Sequence, residues 1–293
     1  MGTVLKKSLL DIHPRELKGM MVDIPTLPVV YQELFRMMQD PQVAVPRISE
    51  LINQDQALAI KILHLVNSAF YGYKQEITTI ARAVVILGFQ AVRSAALATS
   101  VFEYFKDEPS GGTVDMSRFW THSVAVAAGC KVLATARGLK QQEEAFVVGL
   151  LHDVGKLIEK RHFAADFAEL CQVATEQHLS WYDAETQLFQ VNHATIAKAV
   201  FRGWNFPSSV VEAIHLHHTP EASRQHPQLT ALVHVADFMA YEMGYGAPGA
   251  HPPTACSGAA LGLLGLDAAA CAKHRDAIDD ETRRSLEILT LVA

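Results

Sequence analysis

Apolar residues recur at spacings of three and four along almost the whole chain, and stretches that alternate apolar and polar residues are scarce. This spacing places apolar side chains on one face of an α-helix, whereas a half-buried strand requires a period of two. One such stripe consists of Val30, Leu34, Met37 and Met38, and it ends at Asp40. The pattern therefore predicts an all-α fold.

Local signals predict where several helices of the first half begin and end. Pro46 stands at a helix start, where its missing N–H group is tolerated. Asp55 suits the N-cap of the next helix, and Thr78 or Thr79 suits the N-cap of the one that follows. Gly88 lies where that helix is expected to end.

Two changes in composition divide the chain. Residues 107–115 (DEPSGGTVD) are charged and then glycine-rich, which is typical of a linker, and residues 244–258 are rich in Gly and Pro, which predicts a long loop. The predicted architecture is a two-lobed helical bundle. Its parts are an N-terminal extension over 1–24, a helical lobe over 25–106, a second lobe over 116–243, and a tail over 244–293 with a loop, one short helix and one longer helix packed on the second lobe.

Periodicity also predicts the helices of the second lobe. They cover about 117–136, 141–160, 164–178, 182–190, 194–203, 208–217 and 227–243. The second of these is expected to run without a break through an adjacent His-Asp pair.

Composition excludes several classes of protein. The formal net charge is −6, so the chain has no overall attraction to phosphate backbones, and direct nucleic-acid binding is not expected. No apolar run reaches the roughly 18 residues that a membrane span requires, and the N-terminus lacks the pattern of a signal peptide. None of the four cysteines forms a C-x-x-C pair. These features predict a cytoplasmic protein with reduced thiols.

The fourteen histidines are the most unusual part of the composition, and several of them follow apolar helical stretches in the second half of the chain. Histidine is the commonest metal ligand in proteins. The candidate metal ligands are His122, His152, Asp153, His193, His217, His218 and Asp237.

An adjacent His-Asp pair can offer an imidazole nitrogen and a carboxylate oxygen to the same pair of cations. A bridging carboxylate with histidines on either side is a common way to hold two metal ions, and this donor set suits Fe, Mn, Zn or Ni better than Mg or Ca. We therefore expect one or two divalent ions. If the site is catalytic, Asp153 and Lys156 are the candidate catalytic residues, because Lys156 lies one turn later and could neutralise a phosphate.

Other interpretations of these histidines remain open. A single buried histidine is more often a core residue whose ring bonds a backbone carbonyl. The doublet at His217 and His218 could instead be a cation pair at the C-terminal end of a helix, where the helix dipole favours positive charge. His234 lies three residues before Asp237, so it can share the same helix face and contact the ligands from outside the set.

The segment GLLHDVGKL, with a histidine upstream and an aspartate downstream, resembles the HD superfamily of metal-dependent phosphohydrolases. The first lobe is similar to a narrower group, the HDOD family, an HD-related output domain of bacterial signalling proteins. The stretches that carry this resemblance are IPTLP, LINQDQAL, LVNSAFYG and ILGF followed by an arginine. The resemblance covers about residues 20–245, and it makes the second lobe HD-like.

The resemblance implies roles for particular residues. His122, His152, Asp153 and Asp237 match the basic HD ligand pattern. Lys156, His193, His217 and His218 match additional positions of the HD-GYP subgroup, the cyclic di-GMP phosphodiesterases. Arg118 stands one turn before His122, where HD-GYP proteins typically carry a glutamate, and we expect it, like His234, to support the ligands. The Gly-Tyr-Pro loop that follows the doublet in that subgroup is absent.

Two hypotheses about function follow. In the first, the chain is a bacterial signal-transduction module that regulates or binds a signalling protein or a nucleotide and keeps a metal-binding HD site. In the second, it is a metal-dependent phosphohydrolase that acts on a nucleotide or a phosphodiester through a metal-activated water. HDOD proteins tend to be non-enzymatic, which favours the first hypothesis, whereas the complete ligand set favours the second.

Overall fold

The computed structural model describes residues 44–67, 75–89, 115–246 and 255–292, together with positions 9, 33, 37, 73, 91, 92, 95, 96, 99, 101, 105, 251 and 252. Within these residues the regular elements are helices and there is no strand, so the predicted all-α fold is confirmed. None of the helices in the described part combines the length and the apolar character that crossing a bilayer would require.

Three short helices of the first lobe pack on one another. They are α1 (Val45–Asn53), α2 (Gln56–Asn67) and α3 (Ile80–Leu87). The predicted caps are confirmed. Asp55 Oδ1 accepts the N–H of Leu58 at 3.0 Å, and Thr79 Oγ1 accepts the N–H of Arg82 at 3.2 Å. Gly88 ends α3 with a φ of 87°, a conformation that favours glycine. Most of the stripe around Val30, and the predicted linker up to residue 114, lie outside the described residues.

The second lobe contains most of the helices. They are α4 (Met116–Ala136), α5 (Gln142–Leu151), α6 (Val154–His162), α7 (Ala164–Glu176), α8 (Trp181–Leu188), α9 (His193–Gly203), α10 (Ser208–Leu216) and α11 (Pro227–Glu242), with a short 3-10 helix at Pro220–Ala222. Helix α4 lies at the centre and packs against α5 and α11.

Small residues allow the central helices to approach closely. A Cβ atom at Gly129 of α4 would lie 3.0 Å from Ala236 Cβ of α11, and one at Gly149 of α5 would lie 2.8 Å from Ala127 Cα of α4. Larger side chains at these positions would push the backbones apart. The close packing brings the polar residues of these helices within reach of one another.

The prediction of one helix over 141–160 is wrong, because α5 ends at Leu151, Asp153 leaves helical geometry with a φ of −98° and a ψ of 3°, and α6 begins at Val154. The spacing of apolar residues continues through the break, so periodicity alone does not reveal it. Asp153 occupies the N-cap of α6 but makes no side-chain capping bond. Its carboxylate is turned instead toward a group of histidines.

The tail also differs from its prediction, since its described residues contain three helices rather than two. They are α12 (Gly258–Leu264), α13 (Ala268–Lys273) and α14 (Arg275–Val292). The caps at Ser257 and Asp267 start the first two, and Gly265 ends α12 with a φ of 61°. Helix α14 packs on α4 and also on α2. The tail therefore contacts both lobes, and Lys131 Nζ of α4 pairs with Glu281 Oε1 of α14 at 2.8 Å.

Candidate metal centre

Five parts of the second lobe bring polar side chains to one buried place. His122 comes from α4, His193 is the first residue of α9, and Asp237 comes from α11. The break between α5 and α6 provides the His-Asp pair, and the residues after α10 provide the histidine doublet. The structure thus brings together all of the predicted metal ligands, namely His122, His152, Asp153, His193, His217, His218 and Asp237.

Asp153 lies between two groups of imidazoles. Its Oδ2 atom is 3.6 Å from His122 Nε2 and 3.5 Å from His152 Nε2. Its Oδ1 atom is 3.3 Å from His193 Nε2 and 4.0 Å from His217 Nε2. The two oxygens of a single carboxylate therefore face different nitrogen donors, an arrangement suited to a carboxylate that bridges two cations.

Asp237 and His218 complete the two groups. Asp237 Oδ1 lies 3.2 Å from His122 Nε2 and 3.7 Å from His152 Nε2. His218 Nε2 lies 3.1 Å from His193 Nε2, and its ring packs on Tyr182 with 4.5 Å between ring centroids. The donor atoms lie within 4.8 Å of one another in three overlapping sets, which are Asp153 with His193, His217 and His218, Asp153 with His122 and His152, and Asp237 with His152 and His217.

Hydrogen bonds of the Nδ1 atoms determine the tautomers of three of the candidate histidine ligands. Nδ1 of His122, His152 and His217 lies 2.9, 2.7 and 2.6 Å from the backbone carbonyl oxygens of Tyr245, Gly149 and Ile214, respectively. A carbonyl oxygen can only accept a hydrogen bond, so each Nδ1 must carry the proton. In the neutral rings, the Nε2 lone pairs then point toward one another, as metal ligands do.

Several of the converging atoms have no hydrogen-bond partner. They are His122 Nε2, His152 Nε2, Asp153 Oδ1 and Asp237 Oδ1, and all four are buried. His122 Nε2 and Asp237 Oδ1 are close, but with Nδ1 as the donor both are acceptors. Buried acceptors without donors are unfavourable, and a cation would satisfy all of them. The donor set therefore fits a divalent transition metal.

The charge states of most of the site favour ligation, although His152 differs: burial would lower its pKa, but Asp153 and Asp237 raise it above the ordinary value. Burial lowers the pKa of His193 to about 3, assisted by the charge of Lys156. Burial also holds the pKa of His217 and of His218 well below the ordinary value, so these rings stay neutral. Burial alone would raise the pKa of Asp153, but the surrounding imidazoles and Lys156 hold it well below its usual range. Neutral imidazoles and an ionised carboxylate are the forms that bind metal.

Lys156 does not face an open space where a phosphate could bind. Its Nζ atom lies 2.6 Å from Asp153 Oδ2 and 5.7 Å from the centroid of the Trp181 ring, and the side chain is buried. Burial would lower the pKa of Lys156, but Asp153 raises it above the ordinary value. The ammonium charge is thus balanced inside the site, and a role in binding phosphate stays a prediction.

The two residues expected to support the ligands lie in different places. His234 Nδ1 bonds the backbone oxygen of His217 at 2.7 Å, and its Nε2 accepts the N–H of Ser257 at 2.9 Å. His234 therefore links the doublet to the start of α12. Arg118 lies exposed in the first turn of α4, where Asp115 caps its backbone N–H. The structure does not bring the Arg118 side chain to the ligands.

Sequence reasoning missed Glu185, which positions a candidate ligand. Its Oε2 lies 2.7 Å from His193 Nδ1, and its Oε1 accepts the backbone N–H of the same residue at 3.1 Å. Glu185 is buried beside Glu159, and burial raises its pKa to about 8. A signal was present, because Glu185 falls on the apolar face that Trp181, Ala184 and Leu188 define.

Replacing Glu185 with glutamine is expected to weaken metal binding about 10–100-fold, the usual effect of changing the partner of a ligating histidine. The glutamine side chain has one oxygen that can accept a hydrogen bond from His193. Its NH2 group would face the other N–H group of His193, and two donors cannot hydrogen-bond to each other. Competition with a chromogenic chelator would measure the affinity. Glu169→Gln is the control, because it makes the same change at an exposed position of α7. Equal losses in both variants would contradict the role assigned to Glu185.

Comparisons with known proteins show which family model and which proteins this chain resembles. The family model for the HDOD domain matches residues 24–220. An uncharacterized protein of Treponema pallidum is 26% identical over 220 residues, which are 74% of this chain and 42% of that protein. A cyclic di-GMP phosphodiesterase of Vibrio cholerae, CdgJ, is 26% identical over 132 residues, 45% of this chain and 29% of that protein. The chain spans less than half the length of these curated relatives.

Solved structures show the same fold. An HDOD domain protein of unknown function from Geobacter sulfurreducens aligns with a TM-score of 0.77 and 25% identity, over 93% of this chain and 97% of that one. A presumed phosphohydrolase from Shewanella amazonensis aligns with a TM-score of 0.73 and 24% identity, over 94% of this chain and 98% of that one. At that identity, the second likeness shows the fold alone.

Proposed function

Because this chain belongs to the HDOD domain family, we propose that it is a regulatory module of bacterial signal transduction whose HD-like lobe binds one or two divalent metal ions. A cytoplasmic location and recognition of a signalling protein or a nucleotide are parts of this proposal.

The burial of the donor set is the observation that carries the proposal. His122, His152, His193 and His217 are fully buried, Asp153 is 1% exposed, and of the candidate ligands only His218 is partly exposed. A catalytic metal keeps an open position for water or substrate, whereas a structural metal is enclosed by protein ligands. An enclosed site that joins α4, α9 and α11 with two interhelical segments suits an ion that stabilises one arrangement of the lobe.

The residues that would hold the metal form overlapping sets around Asp153. His122 and His152 lie with Asp153 in one set, His193, His217 and His218 lie with it in another, and Asp237 forms a third with His152 and His217. Mixed nitrogen and carboxylate donors favour Fe, Mn, Zn or Ni. The ammonium group of Lys156 pairs with Oδ2 of Asp153. The carboxylate of Glu185 contacts Nδ1 of His193 and so orients the ring for ligation through Nε2.

A second candidate function is metal-dependent phosphohydrolysis, with a nucleotide or a phosphodiester as substrate. The bridging position of Asp153 favours it, since paired metal ions in hydrolases lower the pKa of a bound water and stabilise charge on a phosphoryl group. The name of CdgJ supports the same chemistry. However, the match covers only 29% of CdgJ, so its named activity need not belong to the matched part.

Metal content and turnover test both functions on the same preparations. His152→Ala is expected to lose most of the bound metal, because its Nε2 lies beside both carboxylates. His178→Asn is the control, since His178 contacts His251 at the surface and has a φ of 56° that asparagine tolerates. Elemental analysis would measure occupancy. Equal metal in the two variants would contradict the site.

Turnover of cyclic dinucleotides, nucleotides and a generic phosphodiester would be measured with added Mn or Fe. Stoichiometric metal without turnover supports the regulatory module. Hydrolysis that is lost in His152→Ala and kept in His178→Asn would contradict the non-enzymatic proposal and establish the second function.

A further inference from the structure

A cleft of about 450 Å³ opens between α9, α10 and the turn after the 3-10 helix. None of the residues that line it belongs to the candidate metal ligands. Its volume lies within the range of small-molecule sites, roughly 300–1,000 Å³. The cleft is therefore a separate place where a ligand could bind.

Three cationic side chains line the cleft. Lys198 and Arg202 lie one turn apart on α9, and Arg224 faces them from the turn after the 3-10 helix. In the part of the chain that the structure describes, these three side chains form no ion pair. The nearby charge of Arg202 and partial burial lower the pKa of Lys198. Cations without carboxylate partners give the cleft a local positive field in a chain whose net charge is negative.

The one carboxylate that lines the cleft is already engaged. Glu212 Oε1 accepts the Ser223 hydroxyl at 2.8 Å and the backbone N–H groups of Arg224 and Gln225 at 2.7 and 3.0 Å. These bonds lower the pKa of Glu212 although partial burial opposes the shift. Glu212 thus holds the turn that carries Arg224, and it does not neutralise Lys198 or Arg202 through a direct contact.

One buried polar atom that lines the cleft has no partner. The Nδ1 atom of His215 is buried and has no hydrogen-bond partner. A buried nitrogen without a partner is unfavourable in the free protein. A ligand oxygen or hydroxyl in the cleft could satisfy it.

The remaining wall is apolar and firmly packed. Phe206 stacks on Phe201 with 4.6 Å between ring centroids, and Val211 and Leu216 lie beside it. Asn205 precedes Phe206 in a left-handed conformation, with a φ of 58°, so the turn into α10 holds this wall in place. The cleft therefore combines a cationic side with a small apolar side.

We propose that this cleft binds a small phosphorylated molecule of about nucleoside-monophosphate size, with its phosphate between Lys198, Arg202 and Arg224. A phosphate dianion matches the unpaired positive charge, and arginine side chains bind phosphate with paired N–H groups. This site is additional to the metal centre, and its existence does not depend on metal binding or on turnover there.

Isothermal titration calorimetry on the full chain tests the proposal, with AMP and inorganic phosphate as separate probes at constant chloride. AMP is expected to saturate one site and to bind more tightly than phosphate, because only AMP contacts the apolar wall. Lys198→Ala/Arg202→Ala is expected to weaken AMP binding at least tenfold. Arg224→Ala, on a different element, is expected to weaken it as well.

Matched controls separate the cleft from general electrostatics. Lys140→Ala/Lys273→Ala removes the same charge from exposed positions outside the cleft and is expected to leave binding unchanged. His178→Asn, at a surface position outside both the cleft and the metal centre, is expected to bind AMP as the unmodified chain does. Absence of saturable binding, equal losses in the two double variants, or loss of binding in His178→Asn would each overturn the proposal. Circular dichroism would verify that every variant is folded.

Discussion

Gly155→Ala is expected to lower the free energy of unfolding by about 3 kcal/mol, which is the upper part of the range for forcing extra atoms into a packed interior. A Cβ atom at this position would lie 2.0 Å from the backbone oxygen of His193 and 2.6 Å from its carbonyl carbon. Both are backbone atoms, so no side chain can rotate to relieve the overlap. Helix α6 or helix α9 must move, and His193 then moves relative to Asp153.

The same substitution at an open position is the control. A Cβ atom at Gly262 in α12 would meet nothing within 4 Å. Gly262→Ala is therefore expected to raise stability by about 0.5–1 kcal/mol, because glycine loses more conformational freedom on folding. Urea denaturation would measure both variants. A Gly155→Ala chain as stable as the unmodified one would show that α6 and α9 are farther apart than the structure has them.

Asp153→Asn is expected to remove bound metal more completely than the roughly 10–100-fold loss that follows from changing a partner of a ligand. The two oxygens of Asp153 face both imidazole groups, so one substitution affects both. It also leaves the buried Lys156 ammonium without its carboxylate, and uncompensated buried charges typically cost about 3–5 kcal/mol. Metal content and the free energy of unfolding are both expected to fall.

A double variant separates these two effects. Asp153→Asn/Lys156→Met removes the unpaired ammonium and replaces it with an apolar chain of similar length. We expect stability to recover toward that of the metal-free unmodified chain, while metal content stays low. Metal bound at full occupancy in Asp153→Asn would contradict a bridging role for Asp153. A double variant no more stable than Asp153→Asn would show that the Lys156 charge is not the cause of the instability.

The sequence was sufficient to bring the candidate ligands into one set, although their role as ligands stays a prediction. Histidine and aspartate are recognisable by type, and each of them follows an apolar helical stretch. Positioning residues are harder to find. Glu185 looks like any glutamate on a helix until the fold turns it toward His193. The opposite error occurred at Arg118, whose distance of one turn from His122 suggested a contact, although the side chain lies at the surface.

Helix caps could likewise be predicted from the sequence, whereas the break between α5 and α6 could not. Asp55 and Thr79 were predicted as caps because a capping bond involves residues three apart in sequence. The break at His152 and Asp153 was missed because its cause is tertiary. Packing of Gly155 against His193, and the turning of Asp153 into the site, depend on α9, which lies far away in sequence.

Helices α9 and α10 each carry a residue of the metal centre near one end and residues of the cleft further along. His193 begins α9, and Arg202 lies about 14 Å along the same helix at 1.5 Å per residue. His215 lies two residues before His217 at the end of α10. If either helix shifted as a rigid body, the geometry of both the metal centre and the cleft would change. If a metal ion at the metal centre changes the affinity of the cleft for an anion, the bound anion must change the affinity of the metal centre for metal by the same factor. Binding of either one would then be measurable as a change in the affinity for the other.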